Sequence, residues 1–331
     1  MPTSQAAAPA IAVGAARRYS LQPMQRLSLE HEIPEKLKGA VLALGNFDGF
    51  HRGHQAVVGR AVQRAFHERR PAIVATFDPH PVRFFKPDLP PFKLTSLDQR
   101  EGLFAHAGAD AMLVFDFGPE LATTSAAGFV DLLAGHIGAG GIVTGDDFTF
   151  GRGREGNVEL LASLAADRGI EAETVGAVLA EGERISSGAI REALAAGEVG
   201  TATRLLTRPF AIEGVVQDGD KRGRALGYPT ANMPLGDYQR PRYGIYAVTA
   251  RLDGGRELPG VASLGVRPTF DPPSELLETY IFDFDEDLYG RTIEVALHHF
   301  LRDEIRFDDM NALKLQMDED SAAARQLLAA A

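Results

Sequence analysis

The sequence predicts an α/β protein in which a mostly parallel sheet, covered by helices, is followed by an antiparallel domain and a terminal helix. From about residue 40 to residue 185, apolar strand patterns alternate with helical patterns, which is typical of parallel sheets. Arg208-Pro209 then ends the helical pattern, and later strand patterns follow without long helices between them. We therefore expect a flexible tail over residues 1–24, a first domain over 25–206 and a second over 207–331.

The first domain contains four predicted strands, each an apolar run bounded by turn or polar residues. These strands cover residues 41–47, 72–77, 111–117 and 141–145. Helical periodicity occupies the intervals between them, near residues 53–69, 97–107, 125–136 and 157–168. Ser96 and Gln99 have the capping-box spacing at the start of the second of these helices. Residues 187–206 predict two further short helices.

The second domain consists of short strand patterns separated by turns rich in Gly, Pro and Asp. These patterns cover residues 210–216, 243–252, 257–264, 276–284 and 292–299. Such a succession is typical of an antiparallel barrel or sandwich, and the residues alone do not distinguish the two. Residues 309–330 have the periodicity of a closing helix.

Composition excludes several classes of function. The 331-residue chain has no cysteine, which rules out disulfides, thiolate nucleophiles and cysteine-ligated zinc. A net charge of −11 argues against a nucleic-acid partner, although an anionic ligand can still bind through local donors and a metal ion. We expect no membrane span, small-molecule partners and a cytoplasmic location. The sequence leaves self-association open.

The most informative segment is residues 45–54, Gly-Asn-Phe-Asp-Gly-Phe-His-Arg-Gly-His, which we call the histidine turn. It connects a buried strand to an amphipathic helix, where free N–H groups and the helix dipole favour an anion. His51 and His54 can donate to phosphate oxygens, and Gly53 allows the backbone to approach a ligand. This predicts a nucleotide triphosphate site; the alternative is a tight turn with two surface histidines.

Three other polar motifs end strands or begin a helix at the same predicted edge of the sheet. They cover residues 76–81, 145–151 and 184–191. Each has a structural alternative: Asp78-Pro79 can initiate a turn, Ser186 or Ser187 can cap a helix, and Arg191 can be a solvated charge. Because ligands bind beyond the carboxyl ends of parallel strands, the shared edge favours one ligand site.

The second domain carries its own polar motif at residues 218–232, which is dense in glycine and cations but lacks the P-loop pattern. Thr230 and Asn232 lie two residues apart and offer hard oxygen donors suited to Mg²⁺. Glu278 shares a strand face with apolar residues, where a carboxylate needs a partner or a function. The alternatives are a solvated charged loop and an exposed glutamate on a one-sided sheet.

The four motifs of the first domain closely resemble the FMN adenylyltransferase module of prokaryotic bifunctional riboflavin kinase/FAD synthetases. That module belongs to the nucleotidyltransferase superfamily and has a Rossmann-like parallel sheet. The resemblance implies that His51 and His54 act on the ATP phosphates as catalytic residues. It further implies a set of nucleotide- or flavin-binding residues: Gly45, Phe47, Asp48, Gly53, Asp78, Asp147, Phe148, Ser186, Ser187 and Arg191. Gly188 stands where this family usually has threonine, whose hydroxyl is one potential donor to ATP.

Residues 218–232 resemble the Gly-x-Pro-Thr-Ala-Asn signature of riboflavin kinases, and residues 265–270, 277–284 and 287–290 match further elements of that family. The resemblance implies a six-stranded antiparallel barrel in which Thr230 and Asn232 meet the metal. Glu278 would be the base that activates the ribityl hydroxyl of the flavin. The implied cofactor-binding residues are Gly219, Lys221, Gly227 and Pro229. Tyr280 replaces the usual histidine, which implies altered packing beside the site.

Together these resemblances imply a bifunctional enzyme that converts riboflavin to FMN and FMN to FAD, with ATP as co-substrate and Mg²⁺ in both steps. Two alternatives remain at this point. One is a different adenylyltransferase with an appended barrel, which the Thr230, Asn232 and Glu278 pattern disfavours. The other is a flavin-binding regulator with one silent module, an alternative that Gly188 keeps open.

Overall fold

The computed structural model describes most of the chain. The described residues are 24–180, 182–218, 228–252, 255–267, 274–307 and 309–330. They form two six-stranded sheets and a two-stranded hairpin, with helices around the first sheet and one long helix at the end of the chain.

The first sheet is parallel throughout, as the alternation of strands and helices predicts. Its strands are β1 (Gln25–Ser28), β2 (Val41–Leu44), β3 (Ala72–Asp78), β4 (Ala111–Asp116), β5 (Gly141–Gly145) and β6 (Glu171–Val175). The order across the sheet is β1-β4-β3-β2-β5-β6. β1 and β6 have no counterpart in the sequence prediction, because edge strands need no continuous apolar run: only one of the four residues of β1 and none of β6 is buried.

Eight α-helices precede the barrel in the described chain. They are α1 (Arg52–Glu68), α2 (Pro81–Phe85), α3 (Leu97–His106), α4 (Pro119–Thr123), α5 (Ala126–Gly135), α6 (Val158–Ala166), α7 (Ser187–Ala196) and α8 (Val199–Leu206). The hairpin joins β7 (Leu179–Ala180) to β8 (Glu183–Arg184). The predicted capping box of α3 is confirmed: Gln99 N–H donates to Ser96 Oγ, and Ser96 N–H donates to Gln99 Oε1, both at 3.0 Å.

The strand order places a binding crevice at the histidine turn. β3 flanks β2 on one side and β5 flanks it on the other, so successive crossovers diverge between β2 and β5. In open parallel sheets this topological switch point is where ligands bind, beyond the carboxyl ends of the strands. The turn after β2 and the loop after β5 therefore face the same crevice.

The second sheet is antiparallel and almost closes on itself. Its strands are β9 (Phe210–Val215), β10 (Ala231–Pro234), β11 (Gly244–Leu252), β12 (Glu257–Arg267), β13 (Ser274–Ile281) and β14 (Thr292–Arg302), in the order β10-β13-β12-β11-β14-β9. The edges meet where Gln217 N–H donates to Asn232 O at 2.8 Å. This contact makes the domain a nearly closed barrel and excludes a sandwich.

The terminal helix α9 (Met310–Ala329) covers the outside of the barrel. Ala324 on this helix packs with Ala247 and Phe282 in a small buried cluster. Arg302 of β14 forms an ion pair with the buried Asp320 of the same helix at 2.6 Å. The helix therefore protects one outer face of the barrel, as the sequence predicts for a closing helix.

The two domains share more core than a boundary at residue 206 suggests. Buried apolar residues of α7 and α8, among them Ile190, Leu194, Val199 and Leu206, belong to the same core cluster as the barrel interior. The parallel sheet has its own clusters on its two faces. The boundary therefore stays a prediction. None of the helices among the described residues is both long and apolar enough to span a membrane.

Candidate active sites

A cavity of about 860 Å³ lies at the carboxyl ends of the parallel strands. The predicted site residues that line it are Gly45, Phe47, His51, Gly53, His54, Asp147, Phe148, Ser186 and Ser187. Three predicted residues, Asp48, Asp78 and Arg191, lie outside this lining. The structure therefore brings together residues from the turn after β2, the loop after β5 and the start of α7.

His51 begins α1 as its N-cap, because its Nδ1 accepts a hydrogen bond from the backbone N–H of His54 at 3.3 Å. With Nδ1 used as an acceptor, the proton of the neutral imidazole lies on Nε2, which can donate to a ligand. The two imidazole rings stack with their centres 3.6 Å apart. A Cβ at Gly53 would lie 3.1 Å from His51 Cε1, so glycine gives this ring room.

Both histidines are neutral at neutral pH. Burial lowers the pKa of His51 to about 4, and burial together with the neighbouring His51 and Arg191 lowers the pKa of His54 well below its usual value. His54 Nδ1 is buried and has no hydrogen-bond partner among the described residues. A buried polar atom without a partner at the wall of a cavity is a candidate ligand contact.

Acidification should destabilise the fold through its buried histidines, which include His80 as well as His51 and His54. His80 caps α2 by accepting from Val82 N–H, and burial lowers its pKa to about 4, as for His51. Unfolded histidine titrates near 6.5, so the unfolded chain binds more protons below that pH, and the free energy of unfolding falls between pH 6.5 and 4. A pKa difference of one is worth about 1.4 kcal/mol.

Urea unfolding at pH 7 and pH 5 measures this effect. In His80→Asn the asparagine can still cap the helix but does not titrate, so this variant should lose less stability on acidification than the parent. If the free energy of unfolding falls equally in the two proteins between pH 7 and pH 5, His80 does not contribute to the destabilisation by acid.

Asp48 and Arg191 form an ion pair with each other and hydrogen bonds with nearby backbone groups. The Asp48 carboxylate is buried and accepts from Arg191 Nη2 at 2.7 Å and from Leu94 N–H at 2.9 Å. Arg191 Nε donates to Phe92 O at 2.8 Å, and Ser187 Oγ donates to the backbone oxygen of Asp48 at 2.9 Å. These contacts tie the histidine turn to the start of α7, and a ligand-binding role for Asp48 or Arg191 stays a prediction.

The cavity has a polar wall and an aromatic wall. On the polar side, Arg184 Nη2 pairs with Asp146 at 2.6 Å and with Asp147 at 3.0 Å. The aromatic wall comes from several elements: Phe77, Phe85, Phe117, Phe129, Phe148 and Phe150. The rings of Phe148 and Phe150 stack nearly parallel, with centres 5.7 Å apart. Flat apolar walls of this kind suit a flat aromatic ligand, whereas the histidines that line the same cavity suit phosphate.

Asp78 lies beside two cations that the sequence prediction missed. Its Oδ1 is buried and accepts no hydrogen bond from the described residues, with Arg100 Nη2 at 3.7 Å and Lys93 Nζ at 3.9 Å. Arg100 is itself buried, and it donates to Thr76 Oγ1 at 3.0 Å and to Asn46 O at 3.2 Å. On an amphipathic helix an arginine normally predicts a solvated charge, so no sequence signal marks Arg100 as a neighbour of Asp78.

Gly188 occupies the first turn of α7 in an ordinary helical setting. Its φ lies outside the left-handed region, and a Cβ there would meet only Ser186 Oγ, at 3.5 Å. The backbone therefore accepts a side chain. The family resemblance implies a threonine hydroxyl that can donate to ATP at this position, so we expect Gly188→Thr to lower the KM for ATP in FAD formation. Gly188→Ala provides the matched control without a hydroxyl. If the two variants give the same KM, a hydroxyl at position 188 does not contribute to ATP binding.

The barrel brings two predicted kinase residues directly opposite each other. Asn232 of β10 and Glu278 of β13 are cross-strand partners, and Ser263 of β12 pairs with Glu278 on its other side. Directly opposed residues in antiparallel strands point to the same face, about 5 Å apart at Cβ. Gln217 extends this row through its bridge to Asn232. Gln217 and Ser263 were missed by sequence analysis, since register is a tertiary property.

The donors near Glu278 fit a hard cation. Neither the Thr230 hydroxyl nor Asn232 Oδ1 has a hydrogen-bond partner among the described residues; the Asn232 amide only donates weakly to Thr230 O at 3.4 Å. The described residues contain no cluster of three His, Asp or Glu suited to a metal. Two free oxygens beside one carboxylate match Mg²⁺, which takes few protein ligands when phosphate supplies the rest.

One further predicted kinase residue lies next to this row. Pro229 is exposed and directly precedes Thr230, whereas Gly219, Lys221 and Gly227 lie outside the described residues. Tyr280 packs edge-on against Tyr228, with ring centres 4.8 Å apart. Tyr228 in turn donates its hydroxyl to Asp318 of α9, and its pKa is raised to about 12 by burial and by this carboxylate. Tyr280 of β13 is thus linked to the terminal helix through Tyr228.

Comparisons with known proteins identify both halves of the chain. The FAD synthetase family model matches residues 33–189, and the riboflavin kinase family model matches residues 206–328. A protein of Pseudomonas fluorescens named bifunctional riboflavin kinase/FMN adenylyltransferase is 40% identical over 308 residues, covering 92% of this chain and 98% of its own. The chain belongs to the bifunctional riboflavin kinase/FMN adenylyltransferase family. A relative with the same name in Escherichia coli (strain K12) is 40% identical, and the match covers 87% of this chain and 93% of that protein. Another in Bacillus subtilis (strain 168) is 34% identical, and the match covers 89% of this chain and 94% of that protein.

The similarity of this bifunctional family member to solved structures extends over both sheets. A crystal structure described as a macrolide-efflux protein from Streptococcus pneumoniae is 30% identical, with a TM-score of 0.81. The match covers 91% of this chain and 99% of that chain. The parallel sheet followed by the nearly closed barrel is therefore an arrangement shared with an experimentally determined structure.

Proposed function

We propose that the barrel phosphorylates riboflavin to FMN and that the cavity at the histidine turn joins FMN to the AMP moiety of ATP, giving FAD. The observation that carries the proposal is the grouping of family-motif residues at two separate places: His51 and His54 at the switch point of the parallel sheet, and Asn232 and Glu278 in one cross-strand row. Because both reactions consume ATP, we place the enzyme in the cytoplasm.

In the adenylyl transfer, a phosphate oxygen of FMN attacks the α-phosphorus of ATP, and the bond to the β-phosphate breaks to release pyrophosphate. Negative charge moves toward the leaving group, where His51 Nε2–H and the ring of His54 can donate. Both rings are held in place before reaction by their stacking and by the helix cap. Such preorganised donors stabilise developing charge without a cost for reorientation. The aromatic wall holds the flavin ring.

In the kinase step, the ribityl hydroxyl oxygen attacks the γ-phosphorus of ATP and ADP leaves. Glu278 accepts the hydroxyl proton, since it is the carboxylate in the row that faces Asn232. Thr230 and Asn232 would hold Mg²⁺ through their free oxygens. When bound, the ion neutralises phosphate charge, which is the main requirement of phosphoryl transfer.

Incubation with riboflavin, ATP and Mg²⁺, followed by chromatographic separation of the flavins, tests both activities. FMN should appear first and FAD second, and FMN supplied directly should give FAD. Chelation of the metal should stop product formation, and added Mg²⁺ should restore it. Flavin binding without any product would instead support a regulator, and FAD formation without FMN formation would support an adenylyltransferase with an appended barrel.

A further inference from the structure

The histidine turn has a backbone that only its surroundings can maintain. Phe47, Gly49 and Phe50 have φ values of 51°, 85° and 43°, all in the left-handed region. Glycine adopts this region freely, but two phenylalanines do so only where other contacts hold them there. These residues set the direction in which the chain enters α1, and hence the positions of His51 and His54. Whatever holds residues 47–50 therefore also positions the two rings.

Residues 93–96, which we call the strap, hold Asp48 and Gly49 of this turn. Thr95, only 2% exposed, accepts from Gly49 N–H through its Oγ1 at 3.0 Å and donates from the same hydroxyl to Asp48 Oδ1 at 3.2 Å. The backbone N–H groups of Leu94 and Thr95 donate to Asp48 Oδ1 at 2.9 and 3.0 Å. One hydroxyl thus links the backbone of the turn to its buried carboxylate.

The strap is held in turn by the barrel domain. Lys93 N–H donates to Asp237 O at 2.9 Å, and Gln239 N–H donates to Lys93 O at 2.7 Å. At its other end, Ser96 Oγ donates to Glu213 Oε2 of β9 at 2.8 Å. The strap therefore connects the segment between β10 and β11 to the histidine turn through continuous hydrogen bonds, so the barrel supports the geometry of the neighbouring site.

We infer that Thr95 is a positioning residue for FMN adenylylation: its hydroxyl holds the histidine turn in the conformation that aims His51 and His54 at the ATP phosphates. Thr95 itself is not one of the residues that line the cavity beside His51 and His54. The inference rests on the proposed function of the histidine turn. A displacement of about 1 Å in catalytic groups can cost about 10²-fold in rate, so loss of one such anchor has a large expected effect.

The test is a pair of substitutions in the full-length protein. Thr95→Val keeps the shape and removes the hydroxyl; Thr95→Ser keeps the hydroxyl and removes the methyl group. We expect Thr95→Val to lower kcat for FAD formation from FMN by about 10- to 100-fold, with a much smaller change in the KM for FMN. Thr95→Ser should retain most of the parent kcat. FMN formation from riboflavin should change less than twofold in both variants, which also reports that the barrel of each protein is folded.

Thr144→Val is the matched control. Thr144 is equally buried, at 1% exposed, and its Oγ1 has no hydrogen-bond partner among the described residues, so losing that hydroxyl should leave both activities intact. Parent-like FAD formation by Thr95→Val, or an equal loss in Thr95→Ser, would overturn the inference. A parent that forms no FAD would instead refute the proposed function. If Thr95→Val also lost its kinase activity, Thr95→Ser alone would decide, and a parent-like kcat there would support the inference.

Discussion

Glu278→Gln is expected to lower kcat for FMN formation by about 10²–10⁴-fold, the usual cost of removing a general base. The ribityl hydroxyl is a weak nucleophile at neutral pH and needs a positioned proton acceptor. Glu278 is half-buried on a barrel strand between its cross-strand partners Ser263 and Asn232, so strand pairing fixes its backbone beside Asn232. Glutamine has the same shape but cannot take the proton, so binding of riboflavin and ATP should be largely retained.

Initial rates of FMN formation over a range of riboflavin concentrations separate kcat from KM. Glu257→Gln is the matched control, since Glu257 is exposed and begins β12 well away from Asn232. FAD formation from supplied FMN should be unaffected in both variants. A parent-like kcat in Glu278→Gln would make this glutamate structural, and the base would have to be sought elsewhere.

His54→Ala is expected to reduce FMN adenylylation by about 10²-fold or more, the scale of losing one preorganised donor. The ring lines the cavity, stacks on His51 and has a buried Nδ1 without a partner among the described residues. Removing it takes away both the donor and the ring that supports His51. FMN production from riboflavin should survive, because Glu278 and Asn232 belong to the barrel.

The measurement is the rate of FAD formation from FMN and ATP, with riboflavin phosphorylation as the internal standard. His67→Ala is the control on the same helix, since His67 is exposed near the end of α1. Unchanged FAD synthesis in His54→Ala would remove this histidine from the mechanism. An equal loss of kinase activity would point to a general folding defect.

Much of the architecture could be predicted because it depends on local patterns. The parallel sheet follows from apolar runs such as Val41–Leu44 alternating with amphipathic helices, since both are periodicities of consecutive residues. The capping box at Ser96 and Gln99 was likewise predictable, because its partners are three residues apart. Strands such as β6 and β10 were missed, since an edge strand, or a short strand inside a functional motif, carries no distinct apolar signature.

The residues of the two sites were predictable as types and motifs, but their partners were not. The order of motifs indicated a histidine turn and a Thr230–Asn232–Glu278 set. Asn232 faces Glu278 because of the register between their two strands, and register cannot be read from the sequence of either strand alone. Asp48 and Arg191 were both expected to contact ligands, yet they bind each other at 2.7 Å; only the approach of α7 to the turn makes that pairing.

By itself, then, the sequence determined a parallel α/β domain followed by an antiparallel β domain, the residue types of the motifs and the edge of the sheet where the first site lies. Residue type and periodicity are local properties of the chain, and the edge follows from the general rule that ligands bind beyond the carboxyl ends of parallel strands. Only the tertiary structure decided that α7 and α8 pack with the barrel core and that Thr95 and the buried Arg100 support the first site. Such contacts join residues far apart in the chain, and their free energy depends on distances and burial that exist only after folding.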